Sequence, residues 1–385
     1  MSCVMKPLVA MACLRLADQG ILDLNADLGL YFPELADGGG MTGVKPIHLL
    51  SHTAGYVEPI EPSARWYCTW EAFSAFFPKR IRAFEPGTVW SYTHTGYAIL
   101  GRLLEKLEAR PVQDILRQSI LEPLGIRLGL LGRQDEDTPH AALHVKSPRS
   151  GRYEPMRAPG DTGFLRFSIS DYTISTRDLL TLARFLAGGI ELGCDTVRRR
   201  MLSPMVRIPA PVGLDGAEHM PTAFGLGIGQ YGGRHGVNGS FVGSTCALRF
   251  DAATGAAAAV SVNAWLPGAR DRVMSKLETF LGRAEAPAPS AAATPIDLAA
   301  FEGTYQGMMM GAGRLAIERL APNDYRCVVQ RLGASSLEAR IRTDRDGRLE
   351  IGSASPGFSI AAVEQPGLPP LVMVGASAYA IGSLA

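Results

Sequence analysis

Cys3 stands three residues ahead of Lys6, at the head of a segment whose apolar residues fall at helical spacing. A cysteine in the first turn of a helix faces unpaired backbone N–H groups and the positive end of the dipole, and both stabilise a thiolate. An amine three positions on lies on the same helical face, where it can serve as a base or stay charged and support the thiolate. The chemistry open to this pair is nucleophilic acyl transfer through an acyl-Cys intermediate. A thioester forms from an amide or an ordinary ester only uphill, and from another thioester at nearly equal energy. The favoured donor is therefore an acyl group on an acyl carrier protein or coenzyme A, passed to an alcohol, an amine or water.

The elements that must hold this pair are legible in outline. Val9, Ala12, Cys13 and Leu16 mark a helical face, with Ser2 placed as its cap and Gly20 as its stop. Further helices are predicted through Tyr97, Leu100, Leu104 and Leu107, through Val112, Ile115 and Leu116, from Ser175 to Gly188, and over Asp271 to Leu281. The segments 224–229, 244–250 and 257–262 read as strands of one sheet. Residues 286–295 have the Ala/Pro/Ser composition of a linker, so the chain divides into a catalytic domain over 1–285 and a small all-β barrel over 296–385. Strand candidates in the barrel are 315–318, 325–329, 337–342, 349–351 and 371–374, with Asp346-Gly347 as one of its turns. At 385 residues and 46% hydrophobic content the chain can bury a large core, and a formal net charge of +1 gives no footprint for nucleic acid or an anionic membrane. A small-molecule or protein-borne substrate fits better. The six cysteines are scattered without a CxxC pair, which argues against a metal site and for reduced thiols in the cytoplasm; no cofactor is implied. No apolar run approaches the roughly 20 residues of a membrane span.

Taken in order, four local patterns resemble the serine β-lactamase, penicillin-binding-protein and esterase superfamily, particularly its class C-like branch, over residues 3 to 283. Cys3-Val4-Met5-Lys6 stands at the place of that family's Ser-x-x-Lys motif, and is followed by Leu16-Ala17-Asp18-Gln19-Gly20-Ile21-Leu22-Asp23-Leu24 and Tyr31-Phe32-Pro33-Glu34-Leu35. Leu49-Leu50-Ser51-His52-Thr53-Ala54-Gly55 is similar to the family's Leu-Leu-x-His-Thr-Ser-Gly. Trp90-Ser91-Tyr92-Thr93-His94 is similar to its Tyr-x-Asn segment, with His94 in place of the asparagine, and His235-Gly236-Val237-Asn238-Gly239 to its His-x-Gly or Lys-Thr-Gly strand. The resemblance implies an α+β fold, an antiparallel sheet with helices plus an all-helical subdomain, followed here by a lipocalin-like barrel. It also implies strands and a helix ahead of the nucleophile motif, for which Met1 and Ser2 leave no room. As site residues it implies Cys3, Lys6 and Tyr92 as catalytic, with Tyr92 carrying a proton to the leaving group, and His94, His235, Gly236 and Asn238 on the substrate or oxyanion side.

Each residue has a plainer reading. Cys3 could be a small buried hydrophobe, with Ser2 the competing nucleophile; Lys6 could be a solvated surface lysine. Tyr92 could pack with its hydroxyl satisfied, and His94 and His235 could line the pocket or be structural, as His52 is expected to be. Trp66, Trp70 and Trp90 could shape an acyl pocket or simply pack. The function that follows is transacylase or thioesterase action on a thioester-linked acyl group, with specialised metabolism as the expected setting. The alternatives are an esterase or D-amino-acid peptidase, and a binding protein of the same fold without turnover.

Overall fold

The helical layer is built from α1 (Lys6–Asp18), α2 (Thr95–Glu108), α3 (Thr176–Ala187) and α4 (Asp195–Leu202). Helix α1 is buried from Lys6 to Leu14. Its sequence is apolar on every side, the composition of a helix enclosed by other elements, and α2 and α4 pack against it. The computed structural model describes residues 2–36, 41–56, 69–76, 82, 84–130, 141–147, 149–156, 172–193, 195–208, 212–213, 220–241, 243–282, 298–305, 312–331, 336–345, 349–354, 359–365, 368–374 and 377–379.

The ends of α1 follow from single residues. Gly20, at φ 72°, takes the left-handed position after the Gln19 cap, as expected. At the other end the expectation of a Ser2 cap fails. Residues Ser2–Met5 form a 3-10 turn, and Met5 holds the cap position of α1 without a side-chain bond. Pro7 supplies the reason: it has no N–H to return to the Cys3 carbonyl, so the α-ladder cannot start earlier and the preceding turn closes with tighter i→i+3 bonds.

Six antiparallel strands form a meander: β1 (Val206–Arg207), β2 (Ala223–Phe224), β3 (Gly229–Tyr231), β4 (Arg234–Phe241), β5 (Ser244–Phe250) and β6 (Ala257–Val262). Helix α3, capped by Ser175 Oγ accepting from Asp178 N at 3.0 Å and stopped at Gly188, covers one face near β5 and β6. Helix α5 (Pro267–Phe280) covers the other, with Met274 against Ala247, Ala258 and Val260. It begins at Pro267, four residues earlier than expected, because proline suits the first helical turn.

The expected strand 224–229 is two short strands around a turn closed by Gly225 N donating to Ile228 O at 2.8 Å. This turn wedges the sheet against α1. Gly227 sits there at φ +85°, and a Cβ on it would stand 2.7 Å from the Ala10 Cβ. Gly227→Ala is therefore expected to cost about 2–5 kcal/mol, from left-handed strain plus overpacking. Urea unfolding of the variant measures this; a loss under about 1 kcal/mol would mean the turn yields.

Beyond α5, five strands form a second meander: Gly303–Tyr305, Ala312–Ala321, Asp324–Arg331, Leu337–Thr343 and Leu349–Ala354. Ser359–Gln365, Leu368–Val374 and Ser377–Tyr379 form a further sheet, completed by Val212–Gly213 through the pairs Ile360 with Val212 and Ser359 with Gly213. A 3-10 turn, Leu298–Phe301, precedes these strands. Among the described residues they lie in these two sheets, one of them sharing a strand with the loop between β1 and β2. The 286–295 linker and the Asp346-Gly347 turn lie outside the described residues, as does Trp66. Among the described residues no helix is long and apolar enough to cross a membrane.

Candidate active site

Because α1 has no solvent-facing side near its start, it carries Lys6 inward, leaving that residue 6% exposed. Its Nζ lies 3.2 Å from His94 Nδ1, 4.8 Å above the centroid of the Tyr92 ring and 5.6 Å from that of Tyr97. Ring faces carry partial negative charge, so two tyrosines and an imidazole nitrogen surround the amine. His94 is held well below the usual imidazole range by burial first and by the Lys6 charge second. A neutral ring whose Nδ1 faces Lys6 accepts from it there and carries its own proton on Nε2.

The segment that brings Tyr92 and His94 is the approach to α2, where residues 88–94 run without regular structure before Thr95 starts the helix. Its backbone bonds go to the Leu49–Thr53 corner: Gly87 N donates to Thr53 O at 2.7 Å and Ser91 N to His52 O at 2.8 Å. His52 is 1% exposed and lies within the site itself, its ring centroid 4.5 Å from Tyr92, 4.9 Å from Phe224 and 5.0 Å from Tyr97. Burial first, and then the Lys6 charge, hold its pKa well below the usual imidazole range. Tyr97 anchors α2 by donating from its hydroxyl to Leu50 O at 2.7 Å; burial, and next Cys13, push that phenol well above its ordinary range.

Cys3 is buried in the 3-10 turn, which packs against β4 and β5. Cys3 lies three residues before Lys6, which opens α1, and its thiol adds to the rise of the Tyr231 phenol, whose main cause is burial. The sulfur is near enough to Cys246 to act on it: burial first raises the Cys246 thiol, and Cys3 adds to the rise. Cys13 is pushed up by burial alone, which leaves a poor nucleophile.

The register of β4 changes the expected wall. Gly239 pairs with Cys246, Val237 with Leu248 and His235 with Phe250, while Asn238 pairs with Ala247 and Gly236 with Arg249. Side chains alternate across a strand, so Val237 shares the face of Cys246, Leu248 and Phe250, which belong to the core around α1. Asn238 and Gly236 turn to the α5 face, where Ala247 meets Met274 and Arg249 pairs with Glu278 at 3.6 Å. At Gly236 a Cβ would lie 2.3 Å from Leu248 O and 2.8 Å from the Arg249 side chain, so this glycine makes room for the arginine. His235 is on the α1 face but four residues beyond Gly239, about 13 Å along the strand. There it stacks on Phe250 at 5.8 Å and lies 3.4 Å from Gln230 Nε2. Burial lowers its pKa, and the Leu202 backbone and Asp251 oppose the shift.

The structure therefore brings Lys6, Tyr92 and His94 together, with Cys3 in the turn just ahead of Lys6, against β4 and β5. It does not bring His235 or the side-chain positions of Gly236 and Asn238 to them. Assigning successive strand residues to one wall ignored the pleat. Sequence reading placed His52 as structural and Tyr97 only as helix core. A signal was present in both: a histidine and a tyrosine inside motifs flanking the site.

Of the tryptophans, Trp90 is buried with Ile208 and Phe224 beside Tyr92. Trp70 stacks on Phe73, lies 4.7 Å from Phe32, and donates to Glu34 Oε1 at 2.8 Å. It lines an open cleft of about 530 Å³ with Arg102, Lys106 and Arg110, on the outer side of α2 and away from Lys6.

Residues 1–283 match the family model described as Beta-lactamase. The chain is 28% identical over 322 residues to Penicillin-binding protein 4 of Amycolatopsis lactamdurans, covering 79% of this chain and 83% of that one. It is 29% identical over 147 residues to ML-236A carboxylate methylbutanoyltransferase mlcH of Penicillium citrinum, covering 31% of this chain and 34% of that one. The crystal structure of SurE superposes with a TM-score of 0.71 at 23% identity, covering 99% of this chain and 86% of that one. At that identity the likeness shows the fold alone.

Proposed function

Because the chain belongs to the beta-lactamase family, we propose that it catalyses acyl transfer or hydrolysis through a covalent acyl-enzyme on Cys3, with a thioester on an acyl carrier protein or coenzyme A as donor. The observation that carries the reading is the buried Lys6 amine, 3.2 Å from His94 and over the Tyr92 ring, one turn from the thiol.

In this reading Cys3 and Lys6 work as a thiolate–ammonium pair. The thiolate attacks the donor carbonyl and the donor's sulfur leaves, taking a proton from Lys6 directly or through Tyr92. Lys6, now an amine, takes a proton from the acceptor as it attacks the Cys3 thioester; the thiolate departs and the ammonium is restored. His94 accepts from Lys6 through Nδ1 and keeps it aimed, offering Nε2–H as a donor where the resemblance places an amide. The oxyanion donors in this scheme are the Cys3 N–H and an N–H of β4.

A second reading, a binding protein without turnover, is favoured by one observation: the β4 side chain facing α1, opposite Leu248, is the apolar Val237. Incubation with acyl-N-acetylcysteamine donors followed by intact mass and peptide mapping separates the two. We expect a single acyl addition on Cys3, absent in Cys3→Ala, with Cys13 and Cys246 unlabelled because burial raises both thiols. No adduct across a broad donor panel would establish the second reading instead.

A further inference from the structure

His52 holds the backbone on both sides of Tyr92. Its carbonyl accepts from Ser91 N at 2.8 Å, and its ring Nδ1 accepts from Thr93 N at 3.2 Å. No other described residue makes both bonds, and the ring also packs 4.5 Å from the Tyr92 ring. The arrangement is costly in two ways. His52 adopts φ 57°, a left-handed conformation uncommon for a residue other than glycine, asparagine or aspartate. With Nδ1 accepting, the ring proton lies on Nε2, which is buried and has no hydrogen-bond acceptor among the described residues. An apolar side chain would avoid burying that donor, so the acceptor at Nδ1 is what the imidazole contributes.

We propose that His52 is the positioning residue of the site, its neutral ring fixing the Ser91–Thr93 backbone and so the place of Tyr92 against Lys6. The inference rests on the acyl-transfer reading for its kinetic consequence but not for its structural one. Protonation would convert Nδ1 from acceptor to donor opposite the Thr93 N–H, and would add a second cation to the cluster. The groups facing the ring are Lys6 from α1, Tyr92 and His94 from the 88–94 segment, Tyr97 from α2 and the uncharged Phe224 from β2. None supplies a negative charge to stabilise an imidazolium, in keeping with burial as the main cause holding the ring neutral.

The sign of the acid response follows. Folding keeps His52 neutral, whereas unfolding frees it to protonate near its ordinary value of 6.5. The unfolded state binds more protons below that value, so stability falls as the pH drops through it. His52→Asn removes this part of the acid loss, retains an oxygen acceptor near the Nδ1 position, and suits the left-handed backbone. His52→Leu removes the acceptor while keeping an apolar bulk.

The test compares the full-length protein with both variants by hydrogen exchange at Ser91 and Thr93, by stability between pH 5 and 8, and by turnover of acyl-N-acetylcysteamine thioesters. We expect Thr93 protection to fall at least tenfold in His52→Leu and to return in His52→Asn. Turnover should follow, with kcat lowered tenfold or more in the leucine variant, KM within about twofold, and most of kcat restored by asparagine. Unchanged Thr93 protection in a folded His52→Leu protein overturns the proposal, as does equal loss of kcat in both variants. If exchange responds as expected but the wild type turns over no thioester, positioning stands and the acyl-transfer reading fails.

Discussion

Lys6→Met is expected to reduce kcat by about 10³- to 10⁴-fold while leaving the fold intact, since a positioned proton-transfer group contributes rate factors of this order. Methionine is unbranched and similar in length, and the Lys6 stem already lies in the apolar start of α1. Stability should therefore hold or rise, because a buried amine is replaced by a side chain with no charge to desolvate. A second consequence reports directly on the cluster. The Lys6 charge contributes to the lowered pKa of both His94 and His52, behind burial in each case. Removing it should move both rings up toward 6.5 without reaching it, since burial remains. NMR titration of the imidazoles checks the cluster, and steady-state kinetics checks the catalysis. A variant that keeps kcat within tenfold of wild type would remove Lys6 from the proton path, whatever its distance to His94.

The fold was readable where a single physical rule governs. The α1 segment shows its burial through apolar residues on every side, α3 through a Ser175 cap and a Gly188 stop, and β5 and β6 through apolar runs of strand length between turn residues. It was unreadable where two rules compete. Pro7 both permits a helical first turn and denies the Cys3 carbonyl its partner, so the thiol sits in a 3-10 turn that apolar spacing alone cannot distinguish from α-helix. Likewise 224–229 is apolar throughout, yet a left-handed Gly227 breaks it into two strands.

The site divides in the same manner. Lys6, Tyr92 and His94 could be placed from motif order because each sits beside a helix start, where position along the chain translates into a place in space. The β4 wall could not. A one-residue change of register moves every side chain to the other face, and the pairing of Gly239 with Cys246 is set by contacts made across the sheet. His52 is structural as expected, but what it holds was not legible: its bonds go to the backbone of residues 91 and 93, far away in sequence and silent in side-chain patterning.

Cys3→Ser should make deacylation the slow half of the cycle. With Cys3 as the proposed nucleophile, attack on a thioester exchanges one thioester for another at nearly equal energy, whereas attack on an ordinary alkyl ester runs uphill. An acyl-serine is an ester, so its formation from a thioester becomes downhill and its breakdown becomes the slow half of the cycle. The serine hydroxyl must also give up its proton during attack, while a thiol ionises more readily and is intrinsically more nucleophilic. Two measurable results follow. With deacylation limiting, kcat for an acyl thioester is expected to fall about 100-fold, equivalent to roughly 2.7 kcal/mol of added barrier. The acyl-enzyme, short-lived on sulfur, should accumulate on oxygen and appear by intact mass during turnover, one acyl group heavier than the free protein. The substitution is a small one in the packed turn, so stability should change little, and Cys3→Ala provides the control in which neither activity nor adduct survives. If serine and alanine variants both retain wild-type turnover, the bond to the acyl group is not made by residue 3. The Lys6 cluster would then have to serve another nucleophile, of which Ser2, one residue earlier in the same 3-10 turn, is the first to test.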